Sequence, residues 1–343
     1  MHCARSAWPR IGRECAPILV QHSVTDSPLS STLTRPRSRP APDAAQAAET
    51  AKTAGNDAFK AAEYEDAISH YSEAISMYRR RMNKSRRALH LTFCPTLPPL
   101  PCAEAAPIEP TYWTNRAAAA MALKRFPAAL DDCRLAAQLS PNGPNAKTLL
   151  RLARCQFALG SLEDAQRSLD SILGGDSQHG LEPTNAQAKT LLAQVKEAQT
   201  HYRQFESYRD AKSLSFASIA LTKAIKAVEA PPLSWKIARA RLLLAQASSS
   251  AASAEKLSQA HHSAVELLRA SSSSSDCNHL YAQVQYAMGN LAQATKYSQE
   301  ALRLDPDSAP ARSLFKRCKK LDSTKEAGNS AFKTGNLGQA VER

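Results

Sequence analysis

Hydrophobic residues recur along this chain at spacings of three and four, and the pattern itself comes back several times. Residues 53–77 read TAGNDAFKAAEYEDAISHYSEAISM: Gly55 opens one helical stretch, and Tyr64, Ala67, Tyr71 and Ala74 mark one face of the next. That spacing predicts amphipathic α-helices rather than strands. The layout returns at 111–141, where Ala117 takes the place of Gly55 and Ala129 that of Ala67, and again at 147–173, with Ala153 and Ala165. A fourth, degenerate copy at 198–229 keeps Tyr208, Ala217, Leu221 and Ala224. A fifth begins near Trp235 and resumes over 254–268, after the low-complexity run SSSAAS. A sixth spans 278–306 with Ala282, Gly289, Ala294 and Ala301, and a seventh, at 325–341, echoes the first. The period is about 34 residues plus insertions. Gly55 to Ala117 is 62 residues, Ala117 to Ala153 is 36, and Ala282 to Gly328 is 46.

Packing explains why these residue types recur. Small side chains at the Gly55 and Ala67 places let two antiparallel helices approach closely, and Phe59, Tyr64 and Tyr71 fill the remaining space. One helix pair cannot bury its own apolar face, so neighbouring pairs stack and leave a groove lined by the first helix of each. Over residues 48–341 the chain resembles the tetratricopeptide-repeat (TPR) family. The resemblance implies an all-α fold: a right-handed superhelical solenoid of antiparallel helix pairs, with about six repeats and a truncated seventh. The expected organisation is a disordered leader at 1–43 and a first domain of three repeats at 44–175, interrupted by an irregular insertion at 80–109. A second array of three degenerate repeats with Ser-rich insertions follows at 183–320, and the start of a further repeat at 321–343.

Composition agrees with helices. Hydrophobic residues make up 43% of the 343 positions but aromatics only 6%, and Gly is limited to 11, which disfavours sheet-based folds. The net charge of +13 raises nucleic acid and anionic membranes as partners. Its distribution argues against both. Residues 1–43 carry six Arg against three acids, and residues 79–109 five Arg and one Lys against two, so +7 of the +13 falls in two segments expected to be unfolded. No run interleaves basic and aromatic residues as a base-stacking platform would, and no apolar stretch is long enough to span a bilayer. The eight cysteines (3, 15, 94, 102, 133, 155, 277 and 318) form no CxxC pair and show no zinc spacing. Scattered singletons suggest reduced thiols in the cytosol or nucleus, with Cys133 and Cys155 as small core residues. The Arg-rich N-terminus has the composition of a transit peptide, but Pro9 and Pro17 interrupt any amphipathic helix there.

The polar positions carry the candidate chemistry. In tetratricopeptide domains that bind cytosolic heat-shock chaperones, five residues on the first helices of three successive repeats grip a C-terminal carboxylate. This sequence offers Lys52 and Asn56, then Asn115, then Lys147 and Arg151, each in the phase set by the Gly55, Ala117 and Ala153 places. Lys supplies a compact charge and Arg a planar donor fork, while Asn amides donate hydrogen bonds without adding repulsion. Lys147 and Arg151 are like charges one turn apart, a pairing that destabilises an isolated helix by roughly 0.2–0.5 kcal/mol and that an anion would relieve. Lys325 and Asn329 repeat the opening pair in the seventh repeat and mark the start of a second clamp.

The order of parts resembles the TPR region of J-domain co-chaperones of the DnaJ homolog subfamily C member 7 type: three clamp repeats, then the helical link NAQAKTLLAQVKEAQTHYRQFE, then looser repeats. The resemblance implies heat shock protein 70 and heat shock protein 90 tails as partners, and a chaperone-binding adaptor that grips an acidic EEVD-type end through a two-carboxylate clamp. The chain departs from the type in lacking a His-Pro-Asp tripeptide and a J domain, and in stopping inside a helix. The insertion between the first two repeats reads as translated intron, and the chain as a fragment. The alternatives are the regulatory TPR part of a phosphatase or prolyl isomerase, or a general interaction scaffold. No catalytic residue, cofactor or metal ligand is expected, because no nucleophile–base arrangement, HExxH or phosphate-binding loop stands at a useful spacing.

Overall fold

The computed structural model describes residues 44–91, 109–174, 180–248 and 253–342, which lie within one compact unit at 42–343. The leader expected at 1–43 lies outside the described residues. The chain forms a TPR solenoid, and among the described residues every regular element is a helix. The pairs are α1 (Ala44–Lys60) with α2 (Tyr64–Leu91), α3 (Thr111–Ala122) with α4 (Phe126–Leu139), and α5 (Ala146–Ala158) with α6 (Leu162–Leu173). There follow α7 (Ala186–Asp210) with α8 (Leu214–Ala227), α9 (Leu233–Ala247) with α10 (Ser253–Ala270), and α11 (Ser275–Ala287) with α12 (Leu291–Leu304). The series ends with α13 (Ala309–Lys333) and the short α14 (Leu337–Glu342). The repeating small positions do what the spacing requires: Ala67, Ala117, Ala129, Ala153, Ala165, Ala217 and Ala294 are all fully buried, so each helix pair closes on methyl groups.

The turns within six of these pairs are alike. After α1, α3, α5, α7, α11 and α13 the chain makes a three-residue turn whose middle residue is left-handed: Ala62, Lys124, Gly160, Lys212, Gly289 and Gly335, with φ between 56° and 81°. Two backbone bonds close every one of these turns. In the second repeat Lys124 N–H donates to the Met121 carbonyl at 2.9 Å and Arg125 N–H to the Ala120 carbonyl at 2.8 Å, the Schellman arrangement that satisfies the last helical carbonyls. Three of the six positions are not glycine, and a left-handed L-residue costs roughly 1–2 kcal/mol; the same bond pair nevertheless forms at all of them. Between repeats the device changes to an N-cap. Asn145 accepts from Thr148 N at 2.8 Å and Asn185 from Ala188 N at 2.9 Å, starting α5 and α7.

A largely buried ion pair closes the second repeat and is tied to the first by a hydrogen bond. Arg116 on α3 donates from Nε to Asp132 Oδ2 at 2.8 Å and from Nη2 to Oδ1 at 2.7 Å, and its Nη1 reaches Ser72 Oγ on α2 at 3.0 Å. Asp132 is only 11% exposed at its side chain. Removing one partner strands the other charge in a largely dry seam. Asp132→Ala is therefore expected to destabilise the chain by about 2–3 kcal/mol, read as a lower urea midpoint at unchanged slope.

The structure modifies the expected boundaries. α2 continues to Leu91, so residues 80–91 of the insertion are helical rather than irregular; residues 92–108 lie outside the described residues. The reason is local: RRRMNKSRRALHL contains good helix formers and no Pro or Gly. No break in the core separates the first three repeats from the rest, because one buried cluster runs from Ala117 through Leu169, Val195 and Leu221 to Leu242. At the other end α13 passes without interruption through the boundary expected at 320/321. Among the described residues no helix is long and apolar enough to cross a membrane.

Candidate functional site

Three of the five candidate clamp residues line one cavity. Asn56 from α1, Asn115 from α3 and Arg151 from α5 meet in a depression of about 240 Å³, together with Phe59, Lys60, Tyr71 and Ala118. Gly55 makes this convergence possible. A Cβ at that position would lie 2.7 Å from the Tyr71 ring, so only glycine lets Tyr71, 1% exposed, lie flush against α1.

Asn56 is held from two sides. Its Oδ1 accepts the Tyr71 hydroxyl at 2.9 Å and Asn115 Nδ2 at 3.1 Å, and both are donors, which fixes the amide's orientation. Burial raises the Tyr71 pKa above the usual phenol value, with Arg151 acting in the opposite sense, so the hydroxyl keeps the proton it donates. Sequence reasoning placed Tyr71 as a space-filler and missed this role. The available signal was a hydroxyl-bearing ring at a position where Phe would fill the same volume.

Arg151 supplies the positive charge. Its Nη1 donates to the Thr114 carbonyl at 2.9 Å, which ties α5 to α3 and aims the guanidinium. Burial, and then Arg154, lower its pKa. Among the described residues no carboxylate pairs with it. Cys155 follows one turn later on α5 and is fully buried with Cys133, as expected of core thiols.

Lys52 and Lys147 lie one turn before Asn56 and Arg151. Lys147 is exposed. Lys52 is already engaged: its Nζ is 3.0 Å from Glu49 Oε1 and 5.7 Å from the centre of the Tyr112 ring. Tyr112 also donates to Glu49 Oε2 at 3.4 Å. Burial first, and then Glu49, push its pKa up to about 12. Glu49 is the neighbour that the sequence pattern did not bring forward. Lys325 and Asn329 share α13, are both exposed, and are not brought near the other five. Among the described residues no group of His, Cys, Asp and Glu could hold a metal ion.

The comparisons with known proteins agree with the helical-repeat fold. The sequence model of the tetratricopeptide repeat matches residues 120–195. The DnaJ homolog subfamily C member 7 homolog of Schizosaccharomyces pombe is 27% identical over 232 residues, covering 68% of this chain and 39% of that protein. Human DnaJ homolog subfamily C member 7 is 28% identical over 239 residues, covering 69% and 44%. The chain thus spans less than half the length of these curated relatives, and the similarity is to their repeat region. Among solved structures, the TPR domain of P58(IPK) aligns with a TM-score of 0.56 and 17% identity, over 86% of this chain and 70% of that one. That likeness concerns the fold alone.

Proposed function

We propose that this chain is a chaperone-binding adaptor whose first three repeats grip the acidic C-terminal tail of heat shock protein 70 or heat shock protein 90. The observation that carries the reading is Arg151: a part-buried guanidinium, unpaired with any carboxylate among the described residues, facing the same cavity as two asparagine amides. A terminal aspartate brings two carboxylates to such a site. One would take the Arg151 fork, and the other the Asn amides and Lys52. Lys147 adds long-range attraction from the turn of α5 before Arg151. The Glu49 carboxylate beside Lys52 does not block this role, since Glu49 is largely exposed and water screens the pair, so Lys52 can exchange it for a ligand. Similarity to the DnaJ homolog subfamily C member 7 repeat region supports a place among co-chaperones. The chain would act there by binding, through side chains that carry charge and amide donors but no nucleophile–base pair.

The basic charge of the whole chain makes RNA the obvious competitor, and a displacement experiment separates the two. A fluorescent peptide ending in Glu-Glu-Val-Asp should bind, and its unlabelled form should displace it. An oligouridylate of equal charge should leave it in place. Displacement by the RNA at matched concentration would contradict the reading, because Asn56 and Asn115 select a carboxylate by geometry while charge alone does not.

A further inference from the structure

A second cavity, of about 630 Å³, opens between α9, α10, α11 and α13, far along the chain from the clamp residues. Its volume lies in the range of pockets that take whole ligand groups. Leu257, Leu314 and Tyr286 give it apolar walls, and His279, Gln283 and Arg317 give it polar ones. His279 is 4% exposed and its Nδ1 has no hydrogen-bond partner. Buried polar atoms nearly always find partners, and this one, in a residue of the cavity wall, finds none among the described residues. Burial and the nearby Arg241 lower the His279 pKa, against a smaller opposing effect from Asp276. The ring is therefore neutral, with one donor and one acceptor.

The charge at the rim fixes the kind of ligand. Arg317 is exposed, its guanidinium lies 5.0 Å from the centre of the Tyr286 ring, and no ion pair holds it among the described residues. Around it, residues 309–320 carry five Lys or Arg and no acid. Because α9, α11 and α13 are the first helices of successive pairs, the cavity belongs to a groove suited to extended backbone. We propose that this groove binds an internal, extended peptide segment, setting an apolar side chain against Leu257 and Leu314 and a neighbouring Asp or Glu carboxylate on Arg317. A free C-terminus plays no part, since Arg317 is the one cation lining this cavity, whereas the clamp of the first three repeats has several.

The test uses the full chain and labelled heptapeptides blocked at both ends, Ac-Gly-Gly-Asp-Leu-Asp-Gly-Gly-NH2 and its Phe and Met counterparts, so that the terminal-carboxylate clamp is silent. At least one should bind, with affinity falling at least tenfold when both Asp become Asn or the central residue becomes Ser. Arg317→Glu and Gln283→Trp, the second of which fills the cavity, should each cause a loss of that size without lowering the melting temperature. Lys147→Glu, which weakens the terminal-carboxylate clamp, should leave binding of these blocked peptides unchanged. The proposal is overturned if none of the three peptides binds, if Arg317→Glu leaves binding unchanged, or if Lys147→Glu abolishes it.

Discussion

Lys147→Glu is expected to lower affinity for a peptide ending in Glu-Glu-Val-Asp by well over tenfold while leaving thermal stability essentially unchanged. Lys147 is exposed on α5, and surface changes of this kind usually fall within about 0.5 kcal/mol in stability. Binding responds far more strongly, for two reasons. The substitution removes one cation from the turn of α5 before Arg151, and it sets a carboxylate one turn from Arg151, where it would compete with the ligand for the guanidinium. The second effect is the larger, because losing the part-buried Arg151 as the ligand's partner typically costs about 2–5 kcal/mol of binding, and about 1.4 kcal/mol is already tenfold. Arg151→Ala should weaken binding to a similar degree but also lower stability, by about 1 kcal/mol, because Arg151 holds the Thr114 carbonyl. Calorimetric titration together with thermal melts distinguishes the two variants: both lose the ligand, and only the second loses stability.

Gly55→Ala should damage the fold and the site together. The added methyl would lie 2.7 Å from Tyr71 Cε1 and 2.9 Å from Cδ1, closer than carbon atoms tolerate. Either α1 or the buried ring would have to shift. Overpacking of this kind costs about 1–3 kcal/mol, and any shift of Tyr71 also withdraws the hydroxyl that fixes Asn56. The melting temperature and the peptide affinity should therefore fall in the same variant. Gly338→Ala is the control. Nothing lies within 4 Å of its added methyl, and it stands in the first turn of the short α14, where alanine is favoured over glycine by no more than about 1 kcal/mol. That change should leave the protein equally stable or slightly more so.

The two glycines illustrate what the sequence made legible. Gly55 announces a close approach because it stands where later repeats place Ala117 and Ala153, so the helix pairs and their stacking follow from one recurring position. The turns are less visible. Three of the six left-handed residues are Ala62, Lys124 and Lys212, and nothing in those identities marks positive φ; the geometry comes from the helices on either side. The extension of α2 to Leu91 was hidden because the insertion looked foreign, although its first dozen residues are good helix formers. In the site, residue types and phase identified the charged and amide groups. They could not show that Glu49 engages Lys52 or that Tyr71 orients Asn56, since those contacts depend on side-chain direction between helices and not on spacing along one.

The central claim is that the first three repeats read a free C-terminal carboxylate, and amidation of the ligand tests it most directly. Two peptides ending in Glu-Glu-Val-Asp, one with a free terminus and one amidated, differ in a single charged group and share every other contact. Titrated against the full chain at the same ionic strength, the free form should bind and the amidated form should be weaker by at least tenfold, about 1.4 kcal/mol. Equal affinity for the two would mean that Asn56, Asn115 and Arg151 do not form a carboxylate clamp, however well they converge.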